Sequence, residues 1–363
     1  MLIPHLGGGG AEQVTALLAR GLARSKYELH LGMVTQADAG PEPLPFWIHT
    51  HALGARRVRT AAFLLLRLIR RVKPDVILSG MAHLNFLVLL LRPFFPSNTR
   101  VLVRQNGTAS AALAFGDLPG STRLLYRLLY RHADRIICQT QAMANDLAGE
   151  FGMAQTQLAV LPNPVDVHAI RDAAGKSPHQ WTGPGPHLLA VGRLAPVKGF
   201  DLLLQALATV REQFPDADLA IAGTGAEETP LMNECHELGL DSAVHFAGYV
   251  DRPYRYFDGA SLFVLCSRHE GLPNALLEAA AGGLPLVALP ACGGVVDMLR
   301  AQPGTWLATE ISAPALAASL LAALQVLRPG QRFEHPFIEE YRIDRALHAY
   351  EEQIDETFQQ AQP

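Results

Sequence analysis

The chain has 363 residues, of which 49% are hydrophobic and 18% charged, a composition that excludes disorder over most of its length and suffices for two domain cores. Its net charge of −4 hides an asymmetry, because residues 1–165 carry a balance of +8 and the remainder a balance of −12. The basic first half predicts contact with an anionic partner, either a phosphorylated acceptor or a membrane surface.

Cysteine usage and hydropathy predict a compartment. The four cysteines are scattered and form no C-x-x-C pair, which favours small core residues in a reducing environment. The N-terminus carries no secretion signal, and no apolar run reaches the ~18 residues that span a bilayer. We therefore expect a cytoplasmic location.

The first half of the chain alternates short apolar runs with helical patterns. Met1–Leu6 is a poor first strand because Pro4 interrupts it, so either this strand is very short or the true start lies upstream of Met1. Further strands are predicted at 27–34, 75–80, 100–105 and 135–140, and helices between them include 11–24 and 61–73.

The alternation resumes in the second half, from residue 186. Five apolar runs, HLLAVG, DLAIAG, AVHFAG, SLFVLC and LPLVAL, are separated by helix-period segments, which predicts an α/β chain with parallel sheets covered by helices. The Pro/Gly-rich stretch 177–186 has linker composition. We predict an N-terminal domain over 1–165, a C-terminal domain over 166–335 and a closing helical segment over 336–363.

The helix predicted at 61–73 belongs to a strongly basic stretch, since residues 56–73 include seven cations. Its apolar residues recur at helical spacing, at Leu64, Leu65, Leu68, Ile69 and Val72. Two interpretations stay open. The stretch attaches to an anionic membrane surface, or it is an ordinary sheet-covering helix with a solvated basic face.

Two loops carry the residues that predict a ligand site. Arg193 and Lys198 follow the strand HLLAVG, and both cations suit phosphate oxygens. The segment Gly271, Leu272, Pro273 and Asn274 opens a helix whose amides and dipole favour a diphosphate. Because the carboxyl ends of parallel strands share one edge, both loops are expected at the same edge.

Carboxylates beside these loops predict hydroxyl groups on the same ligand. Glu270 lies in the loop and can face a transferred sugar, whereas Glu278 lies in the helix and can face a ribose. The apolar neighbours of Glu278 disfavour a merely solvated carboxylate. Phosphate and hydroxyl contacts together indicate a nucleotide sugar.

These motifs carry a family resemblance. The patterns V-G-R-L-x-x-x-K-G-F-D at 191–201 and S-R-x-E-G-L-P-N-x-x-x-E-A at 267–279 closely resemble the family 4 retaining glycosyltransferases of the GT-B fold. Similarity extends over nearly the whole chain, through the glycine-rich loop 7–12, Asn163–Asp166, the A-G-T-G run at 222–225 and Gly248–Val250.

The resemblance implies two Rossmann-like domains facing each other across a cleft, with the last helix returning to the first domain. It implies a donor nucleotide sugar on the second domain and a glycan or lipid-linked acceptor on the first. Transfer would retain the anomeric configuration, without a metal or other cofactor. The implied catalytic residues are Arg193, Lys198 and Glu270. The implied donor-binding residues also include Gly9, Gly10, Gly248, Tyr249, Val250, Gly271–Asn274 and Glu278.

The chain departs from the family at the strand that ends in Arg104-Gln105-Asn106. Many relatives have a histidine here, and Gln105 occupies or adjoins its position, so no histidine role is carried over. Arg104, Asn106 and His83 are candidate acceptor-side residues. Cell-surface polysaccharide or lipopolysaccharide synthesis is the expected process, and no nucleic-acid partner is expected.

Three alternatives remain in view. The glycine run has too little preceding strand for a nicotinamide site. The D-x-D sequence Asp216–Asp218 suggests a metal-dependent transferase, but it precedes a strand and is better explained as a turn. A non-catalytic nucleotide-sugar or glycan-binding module of the same fold is the main rival, and donor turnover would distinguish it.

Overall fold

The structure is a computed structural model that describes residues 1–7, 9–35, 43–116, 118–174, 181 and 183–359. The chain forms two compact units, one of residues 1–164 with the segment from Ile343 onward, and one of Val165–Arg342. The predicted boundary at 335–336 precedes this division, because the short 3-10 helix Pro336–Tyr341 buries Ile338 in the core of the second unit. The predicted linker 177–186 lies mostly outside the described residues.

The first unit contains a seven-stranded parallel sheet in the order β3-β2-β1-β4-β5-β6-β7. Its strands are β1 (Leu2–Ile3), β2 (His30–Met33), β3 (His49–Ala52), β4 (Val76–Gly80), β5 (Arg100–Arg104), β6 (Arg135–Cys138) and β7 (Leu158–Val160). Strand β1 has only two residues because Pro4 follows it, yet it pairs with both neighbours and Ile3 is fully buried. The polar β3 and the three-residue β7 were not predicted.

Helices cover this sheet, and one of them bears on the two interpretations of residues 56–73. They are α1 (Gly10–Gly21), α2 (Ala62–Val72), α3 (Ala82–Leu91), α4 (Ala109–Ala114), α5 (Thr122–Leu129) and α6 (Gln141–Phe151). In α2, Leu65, Leu68 and Ile69 are buried in the core, and its basic side chains are exposed. Helix α2 is thus a sheet-covering helix whose apolar stripe is already occupied.

The second unit contains a six-stranded parallel sheet in the order β10-β9-β8-β11-β12-β13. Its strands are β8 (His187–Val191), β9 (Asp218–Ala222), β10 (Val244–Gly248), β11 (Leu262–Leu265), β12 (Leu286–Ala288) and β13 (Thr305–Leu307). Its helices are α7 (Val167–Ala174), α8 (Phe200–Arg211), α9 (Glu228–Glu237), α10 (Asn274–Ala281), α11 (Gly293–Leu299) and α12 (Ala313–Leu324). Alternate strand residues such as Leu188 and Leu189 enter separate cores on the two faces.

The last helix, α13 (Ile343–Gln359), packs within the first unit. Gly21 permits the approach of α1, because a Cβ there would lie 2.3 Å from a methyl carbon of Leu347. Tyr350 is fully buried, and its hydroxyl accepts a hydrogen bond of 3.1 Å from Arg104 Nε. Across the described residues, every helix is too short or too polar to cross a bilayer.

Candidate functional site

The loops after β8, β9 and β11 meet at the carboxyl edge of the second sheet. Strand β8 lies between β9 and β11, so the strand order reverses there, and the connections that leave β8 and β11 diverge. In open parallel sheets such a reversal leaves a crevice beyond the carboxyl ends of the strands, where ligands bind. All residues predicted to hold the donor, apart from Gly9 and Gly10, lie at this edge.

Glycines allow the backbones of these loops to touch. A Cβ on Gly199, which has φ +66°, would lie 2.1 Å from the carbonyl oxygen of Cys266. A Cβ on Gly223 would lie 1.8 Å from the Gly192 oxygen, and one on Gly225 would lie 2.1 Å from the Leu194 oxygen. Side chains at these positions would force the loops apart, so the glycines set the width of the crevice.

Lys198 and Glu270 form the charged centre of the site. Lys198 Nζ lies 2.6 Å from Glu270 Oε1, and the Ser267 hydroxyl donates to the same oxygen at 2.6 Å. The Glu270 side chain is only 10% exposed and that of Lys198 is 25% exposed. The structure therefore brings together two of the three predicted catalytic residues, 72 positions apart in the chain.

Arg193 lies on the same loop as Lys198, but its side chain is exposed. Its guanidinium can therefore reach a ligand at the edge of the sheet without first losing a buried partner. Ser267 was not among the predicted site residues. Ser267 lies three positions before Glu270 in the same loop, so the S-R-x-E motif could have indicated the contact.

A second ion pair joins the same two loops. Arg268 Nη1 donates to Asp201 Oδ1 at 2.7 Å and to the carbonyl oxygen of Pro196 at 2.8 Å. Burial by itself raises the pKa of Asp201, but the hydrogen bonds and charge of Arg268, together with backbone N–H groups at the start of α8, outweigh it and hold this pKa below its usual value. The pair fixes the loop that bears Lys198 against the loop that bears Glu270, a role that the sequence did not predict.

Glu278 lies in α10 among apolar neighbours, and its side chain is half-buried. Within the described parts of the chain, its carboxyl group makes no hydrogen bond or ion pair. Burial raises the pKa of Glu278 to about 7. Helix α10 begins at Asn274 with Pro273 as its N-cap, so the segment 271–274 that was predicted to open the helix reaches only its first residue. A carboxyl group left without an internal partner can accept hydrogen bonds from a ligand.

The loop after β10 adds a backbone wall to this edge. The Gly223 N–H donates to the carbonyl oxygen of Gly248 at 2.7 Å, which ties this loop to that after β9. Tyr249 is 49% exposed, whereas Val250 packs against the core on the α10 side of the sheet. Their predicted donor contacts stay a prediction.

In the first unit, the glycine-rich loop leads into α1. Gly9 precedes this helix, and a Cβ there would lie 2.2 Å from Glu12 Oε2. The Glu12 carboxylate is buried and lies 3.8 Å from the ring nitrogen Nε2 of His5. A side chain at position 9 would therefore displace the Glu12 carboxylate from its place against the loop, a contact that was not predicted. Gly10 is the first residue of α1.

Arg104 differs from the acceptor-side role predicted for it. It is 3% exposed, and its guanidinium donates to the Tyr350 hydroxyl at 3.1 Å, to Asn106 Oδ1 at 2.6 Å and to Asn163 Oδ1. These contacts hold α13 and the segment after β7 to the carboxyl end of β5. This placement gives Arg104 a structural role, and its acceptor contact stays a prediction.

The other polar residues at the carboxyl edge of the first sheet differ in how far they are buried and bonded. Gln105 is buried, donating to the Gly107 oxygen at 2.8 Å and accepting from the Tyr130 hydroxyl at 2.8 Å. Asn106 is half-buried, and His83 is exposed at the start of α3. Desolvation and the neighbouring His5 lower the pKa of His83, which favours the neutral ring. Acceptor contacts by Asn106 and His83 stay predictions.

The D-x-D sequence lies at the opposite edge of the second sheet. Asp218 is the first residue of β9, and its Oδ1 lies 2.7 Å from Nδ1 of His187, the first residue of β8. This position agrees with a turn and is remote from the carboxyl-edge loops.

Two family models match the chain. The model described as Glycosyltransferase Family 4 matches residues 8–169, and the model described as Glycosyl transferases group 1 matches residues 176–327. Together they cover most of the sequence and divide it close to the boundary between the two units.

Individual relatives point the same way. An N-acetylgalactosaminyltransferase of Campylobacter jejuni that acts on a diphospho-undecaprenol-linked sugar is 27% identical over 77% of each chain. A lipopolysaccharide core glycosyltransferase of Rhizobium meliloti is 28% identical over 60% of this chain and 56% of its own. The chain spans 62%, 38% and 35% of the length of three further curated relatives.

Solved structures show the same architecture. The Anabaena protein HepE, crystallised with UDP and glucose, superposes with a TM-score of 0.77 over 98% of each chain at 16% identity, a likeness that shows the fold. The two parallel sheets, the three-loop site and the paired family matches agree, and the chain belongs to the group 1, family 4 glycosyltransferases of the GT-B fold.

Proposed function

We propose that the chain transfers a sugar from a nucleotide-sugar donor to a glycan or lipid-linked acceptor, with retention of anomeric configuration and without a metal. The observation that carries the proposal is the juxtaposition of Lys198, Glu270 and Ser267 at the reversal point of the second sheet. Paired family motifs alone would also suit a non-catalytic module. The position of this lysine beside a nearly buried carboxylate, at the crevice expected from the strand order, favours catalysis over binding alone.

The donor diphosphate is assigned to the two cations. Arg193 is exposed and Lys198 is held at the crevice, so both are available to phosphate oxygens. As the bond to the sugar breaks, negative charge grows on the departing diphosphate, and fixed positive charges stabilise it. The amides of 271–274 add donors at the start of α10. Protein groups thereby supply the stabilisation for which a metal would otherwise serve.

The carboxylates are assigned to hydroxyl groups. Glu278 accepts hydrogen bonds from the ribose. It is available for this because its carboxyl group has no internal partner in the described structure. Glu270 holds Lys198 in place and accepts from the transferred sugar through the oxygen that Lys198 and Ser267 leave open. The base lies against the backbone of 248–250.

The acceptor class and the pathway rest on the relatives and on charge. The Campylobacter relative acts on a lipid-linked diphosphate sugar, and the Rhizobium relative acts in lipopolysaccharide core synthesis. The basic first half of this chain suits an acceptor that carries a diphosphate. Synthesis of lipopolysaccharide or another cell-surface polysaccharide follows as the proposed process.

Membrane attachment belongs to the same proposal, but α5 suits it better than α2. Leu124 and Leu128 of α5 are 59% and 43% exposed, whereas in α2 Leu65, Leu68 and Ile69 are buried and only Phe63, at 74%, is a strongly exposed apolar side chain. Arg127 and the nearby Arg131 are exposed beside them, so α5 combines free apolar surface with positive charge. Flotation with phosphatidylglycerol vesicles tests this. Leu124→Ser with Leu128→Ser should abolish binding, and Arg67→Gln with Arg70→Gln should only weaken it; no flotation of the unaltered chain contradicts attachment.

Donor binding is tested first by thermal unfolding with UDP, GDP and ADP in excess chelator. A ligand at about a hundred times its Kd adds roughly 2.7 kcal/mol, which moves the Tm by several degrees. Glu278→Ala should remove most of this shift, and Glu212→Ala, an exposed carboxylate on the same unit, should leave it unchanged. A shift that requires a metal, or no shift with any nucleotide, would contradict the donor-site assignment.

Turnover and stereochemistry are tested separately. Release of the nucleoside diphosphate from the preferred nucleotide sugar distinguishes an enzyme from a binding module. NMR of the anomeric proton of the product then reports whether the configuration of the donor is kept. A product of inverted configuration would overturn retention while leaving the donor site in place.

A further inference from the structure

Four ionisable side chains share one face at the amino edge of the first sheet. His30 and His49 begin β2 and β3 and are direct partners in the parallel register, and His51 pairs with Gly32. Because side chains alternate along a strand, Glu28, His30, His49 and His51 all project from the same face. Gly32 offers no side chain opposite His51, and the rings of His30 and His51 lie nearly parallel and edge to edge, with their centroids 5.2 Å apart.

Three of these groups converge on one point. Glu28 Oε1 lies 3.1 Å from His30 Nε2 and 3.9 Å from His49 Nε2. One ligand atom from each of the three residues lies within 4.8 Å of the others. The side chains of Glu28 and His49 are 76% and 55% exposed, so an ion can reach them from solvent.

We propose that Glu28, His30 and His49 form a binding site for a divalent transition metal such as Zn²⁺. Two imidazole nitrogens and one carboxylate oxygen are ligands that zinc prefers, and a water molecule completes four-coordination. The site lies at the amino edge of the first sheet and uses none of the residues assigned to sugar transfer. It is therefore independent of the proposed function, and of whether that reaction needs a metal.

A hydrogen-bond chain behind the site fixes the ring protons. The guanidinium of Arg71 can only donate hydrogen bonds, and its Nη2 lies 3.1 Å from Nδ1 of His51. Nδ1 of His51 is therefore the acceptor, and the ring proton of His51 lies on Nε2. That proton points to His30 Nδ1 at 2.9 Å, which places the His30 proton on Nε2, toward Glu28.

Metal binding reverses the direction of the hydrogen bond between His30 and His51. The ion requires the lone pair of His30 Nε2, so the ring proton moves to Nδ1 and is donated to His51 Nε2. His51 then carries its proton on Nδ1, directed at Arg71. Arg71 thus opposes the ion through its charge and through the tautomer it imposes, whereas His51 supports the ion by accepting from the ligating ring.

An ion held there would join the edge strand β3 to β2. The ligands at positions 28, 30 and 49 bracket the connection between the two strands, so the ion closes that connection as a cross-link. A cross-link present only in the folded chain stabilises it in proportion to the affinity for the ion.

Zn²⁺ titration of the full, untagged chain by calorimetry tests the proposal, with Co²⁺ absorption as a second measurement. His49→Ala and Glu28→Gln, both changes of exposed residues, should each weaken Zn²⁺ binding at least about tenfold. His236→Ala is the matched control, since His236 is an exposed histidine 3.2 Å from the carboxylate of Asp241, and it should change nothing. Absence of binding, or equal loss in all three variants, would overturn the site.

Arg71→Gln provides a second test, because it should not change the Zn²⁺ affinity if the ion binds nonspecifically to surface histidines. Glutamine removes the charge and offers a carbonyl oxygen to the protonated Nδ1 of His51, so Zn²⁺ should bind about tenfold more tightly. Arg70→Gln, on the same helix but outside the chain of contacts, is the control. Equal affinity in Arg71→Gln and Arg70→Gln would overturn the assigned ligand arrangement.

Discussion

The carboxyl edges of the two sheets use their polar residues in opposite ways. In the second unit, Arg193 is exposed, Glu278 keeps a carboxyl group without a partner in the described structure, and Lys198 is paired only with Glu270 from the neighbouring loop. In the first unit, Arg104 and Gln105 stand at the carboxyl end of β5, but both are buried and bonded to other parts of the chain.

A polar residue at the carboxyl end of a strand therefore does not by itself form a ligand-binding site. A buried guanidinium must have its donors satisfied, and once Tyr350, Asn106 and Asn163 satisfy them, little remains for a ligand. The loops of the second unit are fixed by glycine contacts and the Arg268–Asp201 pair. Their cations and carboxylates are consequently left for the donor.

Lys198→Ala should give the largest effect at the donor edge. The change removes a fixed positive charge from the departing diphosphate, so kcat should fall by about 10² to 10³-fold. Lys26→Ala is the control, because Lys26 is also a lysine paired with a carboxylate, that of Asp355, but belongs to the first unit. Steady-state release of nucleoside diphosphate measures both. Equal rates in the two variants would remove Lys198 from the catalytic assignment.

Arg104→Met should affect stability rather than donor binding. The change leaves the hydrogen-bonding groups around it buried without a donor, and the free energy of unfolding should fall by about 3 kcal/mol. Urea denaturation measures this, and Tyr350→Phe, which removes one hydrogen bond, should cost about 1 kcal/mol. A stable Arg104→Met protein with normal donor affinity but a raised KM for acceptor would instead restore the acceptor role.

The pH dependence of nucleotide binding should report on Glu278. Burial holds its pKa at about 7, above the ordinary value of 4.5. The ionised form offers both oxygens as charged acceptors to the ribose hydroxyls, whereas protonation turns one of them into a donor. The ionised fraction rises from about a tenth to about nine-tenths between pH 6 and 8, so affinity should rise roughly tenfold over that range. Glu278→Gln corrects for titration of the phosphates. An identical pH profile in this variant would exclude Glu278 from the ribose site.

Arg268→Ala should have the smallest effect, because it acts through the loops and not on the donor. Loss of the contacts with Asp201 and Pro196 loosens the loop that bears Lys198, and kcat/KM should fall several-fold. Arg268→Lys keeps one charged contact with Asp201 and should recover part of the loss. A fall as large as that of Lys198→Ala, without recovery, would indicate that Arg268 itself contacts the donor.

The sequence by itself determined the architecture and one of the two edges. Alternating apolar runs and helical patterns predicted two α/β units with parallel sheets, and the fold confirms this. Arg193, Lys198, Glu270 and Glu278 could be placed at one edge because each follows a recognisable strand at short range. A local sequence pattern is enough to place a residue at a sheet edge when that residue closely follows its strand in the chain.

Tertiary structure alone decided which polar residues are committed to internal contacts. Arg104 meets a tyrosine hydroxyl 246 positions away, and Arg268 meets Asp201 across 67 positions, so no local pattern could assign either. The same holds for α2, whose apolar stripe suited a membrane or a core equally until packing buried it. Hydrogen-bond satisfaction and burial are properties of the folded chain, because they depend on which distant segments arrive at the same place.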